Sequence, residues 1–133
     1  MKKSQLIITA LSLLFGFFLL SGCSGSDNLQ GTWKVQDASG QNGTIEFKEK
    51  TVIVDGEEYD YTQNAVGTEN GVTYYGIKQN GQNYSIIFPE DDDNLAIMLE
   101  VESTDNYLEG TMLYAMNKSK SPNYQSYAKK YMN

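Results

Sequence analysis

Two-residue turn signals divide the chain from Gly31 onward into short segments in which apolar and polar residues alternate. Asp-Gly at residues 55–56 and Asn-Gly at residues 80–81 each lie between two such segments. These dipeptides are typical of type I′ hairpin turns, whose two central residues need positive φ. Alternation with period two places one face of each segment toward a core. The pattern therefore predicts antiparallel β-structure built from hairpins.

The number of segments favours a closed barrel. Eight segments over roughly ninety residues fall within the spacing of about 8–12 residues that is typical of sandwiches and barrels. Consecutive hairpins give an up-and-down meander, which can close on itself and so remove its exposed edges. We predict an all-β, mainly antiparallel fold, an eight-stranded up-and-down barrel over residues 30–120. The predicted strands are Thr32–Gln36, Thr44–Lys48, Thr51–Val54, Glu58–Thr62, Val72–Lys78, Asn83–Phe88, Leu95–Val101 and Tyr107–Met116.

Residues 121–133 follow a helical pattern. Ser121-Pro122 is typical of an N-cap followed by proline at the first helical position. A helix this short is marginal alone in water, so we expect it to pack on the outside of the barrel. A mobile lid or a partner-binding helix is the alternative. Four residues share one face of the predicted helix: Tyr124, Tyr127, Ala128 and Tyr131.

Residues 1–22 have the organisation of a secretory signal peptide. Two lysines precede the uncharged run Leu6–Leu20, which is short for a membrane-spanning helix. The run ends in Leu20-Ser21-Gly22-Cys23, which resembles the lipobox of bacterial lipoproteins, such as the small lipoproteins of low-GC Gram-positive bacteria. The resemblance implies cleavage between Gly22 and Cys23 and a diacylglycerol on the Cys23 sulfur. An uncleaved signal anchor with an incidental cysteine is the alternative.

Two acyl chains suffice for stable anchoring, whereas one gives only marginal binding. We therefore expect a protein attached to the membrane through Cys23, on the extracytoplasmic face of the cell membrane. Residues 23–29 are polar and rich in glycine and serine, which predicts a flexible tether.

The composition excludes several classes of function. The chain has 10 lysines, no arginine, no histidine and one cysteine, and residues 23–133 hold 8 lysines against 17 acidic residues, a net charge of −9. Nucleic-acid binding needs a positive surface, and serine or cysteine catalytic sets need histidine. Zinc and copper sites usually draw on histidine and cysteine. A carboxylate pair could still catalyse hydrolysis, but no spacing singles one out. We expect no enzymatic activity and no cofactor.

The segment Gly31-Thr32-Trp33 resembles the Gly-x-Trp opening of the first strand in the lipocalin and calycin superfamily. The resemblance implies an eight-stranded barrel, one end of which Gly31 and Trp33 close. Residues 104–107 resemble the family's Thr-Asp-Tyr motif, one hairpin late. The family's arginine, which stacks on the tryptophan, has no counterpart here, and Lys118 occupies the nearest position without a planar guanidinium.

Tyrosines and carboxylates supply the candidate binding residues. Tyrosine joins an apolar body to a polar tip, which suits a small-molecule pocket or a protein interface. The alternative is a core filled by its own side chains, which short strands favour. Five tyrosines with apolar neighbours are predicted to point inward or to line the barrel mouth: Tyr59, Tyr61, Tyr74, Tyr84 and Tyr107.

Residues 89–94 form an acidic turn with three consecutive carboxylates, Asp91, Asp92 and Asp93. Such a cluster suits calcium, but Leu95 and Ala96 stand where an EF-hand needs a ligand and a glycine. A solvated hairpin tip is the favoured interpretation, with weak calcium binding as the alternative.

Together these features predict a non-enzymatic binding module for a small apolar or amphipathic ligand, or for a component of the cell envelope. The alternative is an interaction or inhibitor protein whose acidic surface engages a basic surface protein. The net charge of −9 motivates this alternative, because an acidic surface steers basic partners toward it.

Overall fold

The computed structural model describes residues 26–132, which form nine β-strands and one α-helix. The predicted signal peptide, its cleavage site at Gly22 and Cys23 and the lipidation site at Cys23 lie outside this range. The all-β fold class and the short C-terminal helix are confirmed. The elements are β1 (Gly31–Gln36), β2 (Asn42–Phe47), β3 (Thr51–Val54), β4 (Glu57–Asp60), β5 (Thr62–Glu69), β6 (Val72–Gln79), β7 (Gln82–Phe88), β8 (Leu95–Glu100), β9 (Thr111–Asn117) and α1 (Tyr124–Tyr131).

The strands form one sheet in the order β4-β3-β2-β1-β9-β8-β7-β6-β5, and every neighbouring pair is antiparallel. The pairing of β1 with β9 curls the meander into a nearly closed barrel. Because directions alternate along this order, β4 and β5 run the same way, and Tyr61 alone separates them. They are two halves of one long strand, the first paired with β3 and the second with β6.

The additional strand, β5, explains why the structure has nine strands and the prediction eight. Its sequence, TQNAVGTE, has no apolar face, so hydrophobic periodicity could not identify it. Asn70-Gly71 form its turn to β6 with φ values of 54° and 79°, as in a two-residue hairpin.

The last strand was predicted to begin at Tyr107, which is wrong, because β9 begins at Thr111. Tyr107 instead lies within a turn in which the Asn106 side-chain oxygen accepts a hydrogen bond from the Leu108 N–H at 3.0 Å. An asparagine side chain bonded to the backbone two residues on is typical of a turn and not of a strand.

Apolar residues pack on both surfaces of the sheet. On β8, Ala96 and Met98 belong to the cluster inside the barrel, whereas Ile97 and Leu99 belong to an outer cluster. The outer cluster is covered by α1 and by the loop that contains Tyr107. Burial on both faces explains why β8 is apolar at five consecutive positions.

Helix α1 begins two residues later than predicted. Its N-cap is Asn123 and not Ser121. The Asn123 Oδ1 accepts a hydrogen bond from the Ser126 N–H at 2.8 Å. The Tyr124 hydroxyl donates to the Met112 carbonyl at 2.8 Å, and the Tyr124 N–H donates to Gln36 Oε1 at 2.7 Å. These bonds fix the first turn of the helix on the outer face of β9.

The far end of α1 contacts the acidic turn between β7 and β8. Lys130 Nζ lies 2.9 Å from Glu90 Oε2, and the Tyr131 hydroxyl donates to the same carboxylate. These two contacts lower the pKa of Glu90, the hydrogen bond from Tyr131 contributing most.

Candidate functional site

Trp33 belongs to the buried cluster inside the barrel and lies beside Leu29, at the end of the barrel that we name the base. Its ring is fully buried, its Nε1–H donates to the Leu29 carbonyl at 2.9 Å, and its ring contacts Phe88 edge-to-face at 5.9 Å. Lys118 Nζ lies 4.8 Å from the centroid of the Trp33 ring and donates to the Gln30 carbonyl at 2.9 Å. The base therefore carries a buried aromatic ring, a cation over that ring and satisfied polar groups.

Tyr61 extends this packing to the junction of β4 and β5. Its ring meets Phe47 edge-to-face at 5.5 Å, and its hydroxyl donates to the Lys48 carbonyl at 2.6 Å. Burial, with a smaller contribution from Glu49, raises the pKa of Tyr61 to about 12.

The first described residues also pack on the barrel. The N–H and hydroxyl of Ser26 both donate to Gln63 Oε1, at 2.8 and 3.0 Å, and residues 26–29 form a turn that buries Leu29. Of the tether predicted over residues 23–29, the last four residues therefore belong to the folded domain.

The opposite end of the barrel, which we name the mouth, contains an interior pocket of ≈ 190 Å³. Its lining is mainly apolar, and the deeper lining residues belong to the buried cluster inside the barrel. The lining residues are Ile45, Phe47, Val52, Val54, Tyr59, Ile77, Gln79, Tyr84, Met98, Leu113 and Tyr114.

Two irregularities of the sheet accompany this pocket. β4 pairs with β3 alone, so no backbone hydrogen bonds join β4 to β6 at this end of the barrel. The register of β8 with β9 shifts opposite Leu113, and both Leu113 and Tyr114 pack with the inner cluster. A bulge of this kind turns two successive side chains to one face.

Tyrosine hydroxyls supply most of the polar groups at the pocket. Tyr59 is 39% exposed and donates to Glu57 Oε1 at 2.7 Å. Within residues 26–132, the hydroxyls of Tyr84 and Tyr114 have no hydrogen-bond partner. The pKa values of Tyr84 and Tyr114 are raised, chiefly by burial and further by nearby carboxylates. Both hydroxyls therefore stay protonated at neutral pH and can donate to a ligand.

The structure separates the five tyrosines selected from the sequence. Tyr59 and Tyr84 line the pocket, and Tyr61 lies toward the base. Tyr74 and Tyr107 lie on the outer surface, stacked at 5.4 Å with an interplanar angle of 12°. A side chain in place of Gly76 would collide with the Tyr107 ring, so this glycine lets Tyr107 pack flat on the sheet.

Sequence reasoning missed Tyr114 and Leu113 as pocket residues. Strict alternation along β9 sends neighbouring side chains to opposite faces, and only the bulge brings both inward. No residue type in that segment signals a bulge at this position.

Asp91, Asp92 and Asp93 are exposed in the turn between β7 and β8, away from the pocket. Asp92 Oδ1 accepts a hydrogen bond from the Asn94 N–H at 2.9 Å, which stabilises the turn. Among residues 26–132, no group of three or more acidic, histidine or cysteine side chains could hold a metal ion. In the same range no helix is both long enough and apolar enough to cross a membrane.

Comparisons with models of protein families, with curated proteins and with solved structures each found no match. A functional assignment therefore depends on the pocket and the surfaces around it.

Proposed function

We propose that the protein is a non-enzymatic binding module that takes the apolar part of a small amphipathic ligand into the mouth pocket. The pocket itself supports this most directly: ≈ 190 Å³ of interior space with an apolar lining and two tyrosine hydroxyls free to donate. An apolar cavity of about 150 Å³ accepts benzene. This pocket would therefore hold one ring or a short alkyl chain, with the polar part of the ligand at the tyrosines.

The expected affinity follows from the size of the pocket. Burying about 100 Å² of apolar ligand surface contributes about 2.5 kcal/mol. One or two hydrogen bonds from tyrosine add about 1 kcal/mol each. A ligand confined to the pocket would thus bind in the millimolar range, and tighter binding would require contacts outside the mouth.

We propose further that a diacylglycerol on Cys23 anchors this module at the cell surface. Ser26, which is bonded to the barrel, follows Cys23 by three residues, a reach of at most about 10 Å. The turn formed by residues 26–29 lies at the base, so the mouth would face away from the membrane. That orientation suits a ligand from the cell envelope.

An acidic protein that engages a basic partner is the second candidate. All four residues of β4 are exposed, and three of them are acidic: Glu57, Glu58 and Asp60. Salt distinguishes the two candidates, because binding by exposed charges weakens at high ionic strength whereas burial of an apolar group does not.

A titration with benzene, followed by NMR of the methyl groups, tests the pocket. We expect shifts at the pocket methyls of Ile77, Met98 and Leu113 and none at Ile97 or Leu99 in the outer cluster. Shifts in both clusters, or in neither, would contradict the proposal.

A pair of variants localises the binding. Val54→Phe places a larger side chain at the pocket and should abolish the benzene shifts. Val66→Phe makes the same change at a residue that is 61% exposed and is not part of the pocket lining, so the shifts should persist.

The anchor has its own test. Replacing Cys23 with alanine should move the protein from the membrane fraction to the soluble fraction of its host, because the acylated sulfur is lost. A Ser24→Ala variant is the matched control and should stay with the membrane. Retention of the Cys23 variant would show that the lipid does not hold the protein.

A further inference from the structure

The outer edge of β4 is available for strand pairing. The Asp55-Gly56 turn has φ values of 53° and 83°, which is typical of a two-residue hairpin. In such a hairpin the two residues that flank the turn, Val54 and Glu57, exchange backbone hydrogen bonds. Every second pair beyond them does the same. The backbone groups of Glu57 and Tyr59 therefore point toward β3.

The alternation continues at the far end of β4, where the Tyr61 N–H donates to the Lys50 carbonyl at 3.1 Å. The N–H and C=O groups of Glu58 and Asp60 accordingly point away from β3. β5 cannot close this edge, because it pairs with β6 and is joined to β4 through buried Tyr61.

The two faces of β4 differ in character. Tyr59 lies opposite buried Val52 and lines the mouth pocket, so its side chain is on the inner face. Glu58 and Asp60 are on the outer face and are exposed. Within residues 26–132, neither carboxylate forms an ion pair.

We propose that β4 binds an extended basic segment of another protein as an additional antiparallel strand. Side chains of a strand alternate between faces, so a residue opposite Tyr59 would enter the mouth pocket. The residues before and after it would face outward, where lysine or arginine would meet Glu58 and Asp60. Backbone bonds supply affinity in this mode of recognition, and alternate side chains supply specificity.

Charge complementarity identifies a basic segment as the occupant. Two copies of β4 paired edge to edge would bring acidic residues opposite each other, which is unfavourable. The same acidic residues that prevent this self-association favour a strand of opposite charge. This inference depends on the proposed function, because the pocket must first accept an apolar group.

Calorimetry with three synthetic peptides tests the inference. The probe is acetyl-Lys-Val-Lys-Phe-Lys-Val-Lys-amide, which alternates basic and apolar residues. The first control rearranges the same residues as acetyl-Lys-Lys-Val-Phe-Val-Lys-Lys-amide, and the second N-methylates the two central lysines of the probe. We expect the probe to bind at least about tenfold more tightly than either control. Equal binding of all three peptides would overturn the inference, because it would show that they bind through non-specific charge attraction alone.

Two variants at one position separate backbone pairing from charge. Glu58→Pro removes an N–H that points away from β3, and proline is tolerated at such edge positions. Glu58→Gln removes only the charge. We expect a loss of about tenfold or more in probe affinity for the proline variant and about threefold for the glutamine variant. Equal affinity in the proline variant and the parent would overturn the inference.

Benzene shifts measured on the same samples distinguish failure of this inference from failure of the proposed function. Shifts in the parent and in both variants show that the barrel is folded and that the pocket accepts an apolar group. Benzene binding without a preference for the probe overturns strand addition alone. Absence of benzene shifts in the parent would overturn the proposed function and this inference with it.

Discussion

The two ends of the barrel are built from similar residues but differ in how completely those residues are packed. At the base, the indole of Trp33 is fully buried with its N–H bonded, and the Tyr61 hydroxyl is bonded to a carbonyl. At the mouth, Tyr84 and Tyr114 are partly exposed and border ≈ 190 Å³ of space. Aromatic rings at the base fill the core, whereas those at the mouth leave it open.

We expect the two ends of the barrel to contribute to different properties, the base to stability and the mouth to binding. Close packing and satisfied hydrogen bonds provide stability, and a cavity costs stability because its lining loses contacts. A binding site needs space and unsatisfied donors, which is what the mouth offers. We expect substitutions at the base to change the free energy of unfolding and substitutions at the mouth to change binding.

The largest effect should come from Trp33→Ala. Removing a fully buried aromatic side chain typically costs about 3–5 kcal/mol of unfolding free energy. Tyr84→Ala, at the mouth, should cost less than about 1.5 kcal/mol, because the side chain is partly exposed and already borders the pocket. Denaturant unfolding of both variants and the parent measures the difference. Equal costs would show that the mouth is as tightly packed as the base.

The next effect depends on pH. Because the pKa of Tyr61 is about 12 in the folded protein and about 10 for a free tyrosine, folding favours the protonated form. The resulting stabilisation is complete below pH 10 and is lost as the pH rises to 12. A difference of two pKa units corresponds to about 3 kcal/mol.

A comparison of Tyr61→Phe with Tyr84→Phe isolates this contribution. Tyr61→Phe should cost about 1 kcal/mol at pH 7, because it loses the bond to the Lys48 carbonyl. Its disadvantage should vanish and reverse between pH 10 and 12, since phenylalanine does not titrate. Tyr84→Phe should show a smaller change. Parallel stability curves for Tyr61→Phe and the parent would contradict the assigned burial of the hydroxyl.

The parts of the fold that the sequence predicts are those encoded locally. Asp55-Gly56 and Asn80-Gly81 form turns with positive φ as expected, because few other dipeptides tolerate that conformation. β5 escaped prediction because its inner face contacts little apolar surface, and Val66 remains 61% exposed. Backbone hydrogen bonds alone hold such a strand in the sheet, and they require no pattern of apolar residues that sequence analysis could detect.

The candidate site was harder to predict than the fold. Alternation identifies two faces of a strand but does not say which face is inside when both are covered. Tyr74 was therefore predicted at the pocket although it lies on the outer surface, and Tyr107 was predicted there because its segment was assigned to a strand and not to a turn. Tyr114 reaches the pocket through a bulge, which is a property of the pairing of two strands and not of either sequence.

A third comparison enlarges one side chain in the packed interior and one at the mouth. Ala96 is fully buried inside the barrel, and Ala96→Leu should cost about 1–3 kcal/mol because a packed core resists added methylenes. Val54→Phe adds a larger side chain beside the pocket and should change stability by less than about 1 kcal/mol. Denaturant unfolding of both variants provides the measurement. A large loss in Val54→Phe would indicate that the pocket cannot accept an added ring.

The smallest effect concerns the cation at the base. Lys118→Met keeps an apolar stem near Trp33 but removes the charge over the ring and the bonds to the carbonyls of Asn28 and Gln30. A cation over an aromatic ring at a partly exposed site contributes about 0.5–1 kcal/mol, so we expect a loss of about 1 kcal/mol in denaturant unfolding. Lys120→Met, at an exposed position, is the control and should change stability by less than about 0.5 kcal/mol. If the two variants are equally stable, the base is held by burial of Trp33 alone, and the contrast with the mouth is one of packing and not of polar bonding.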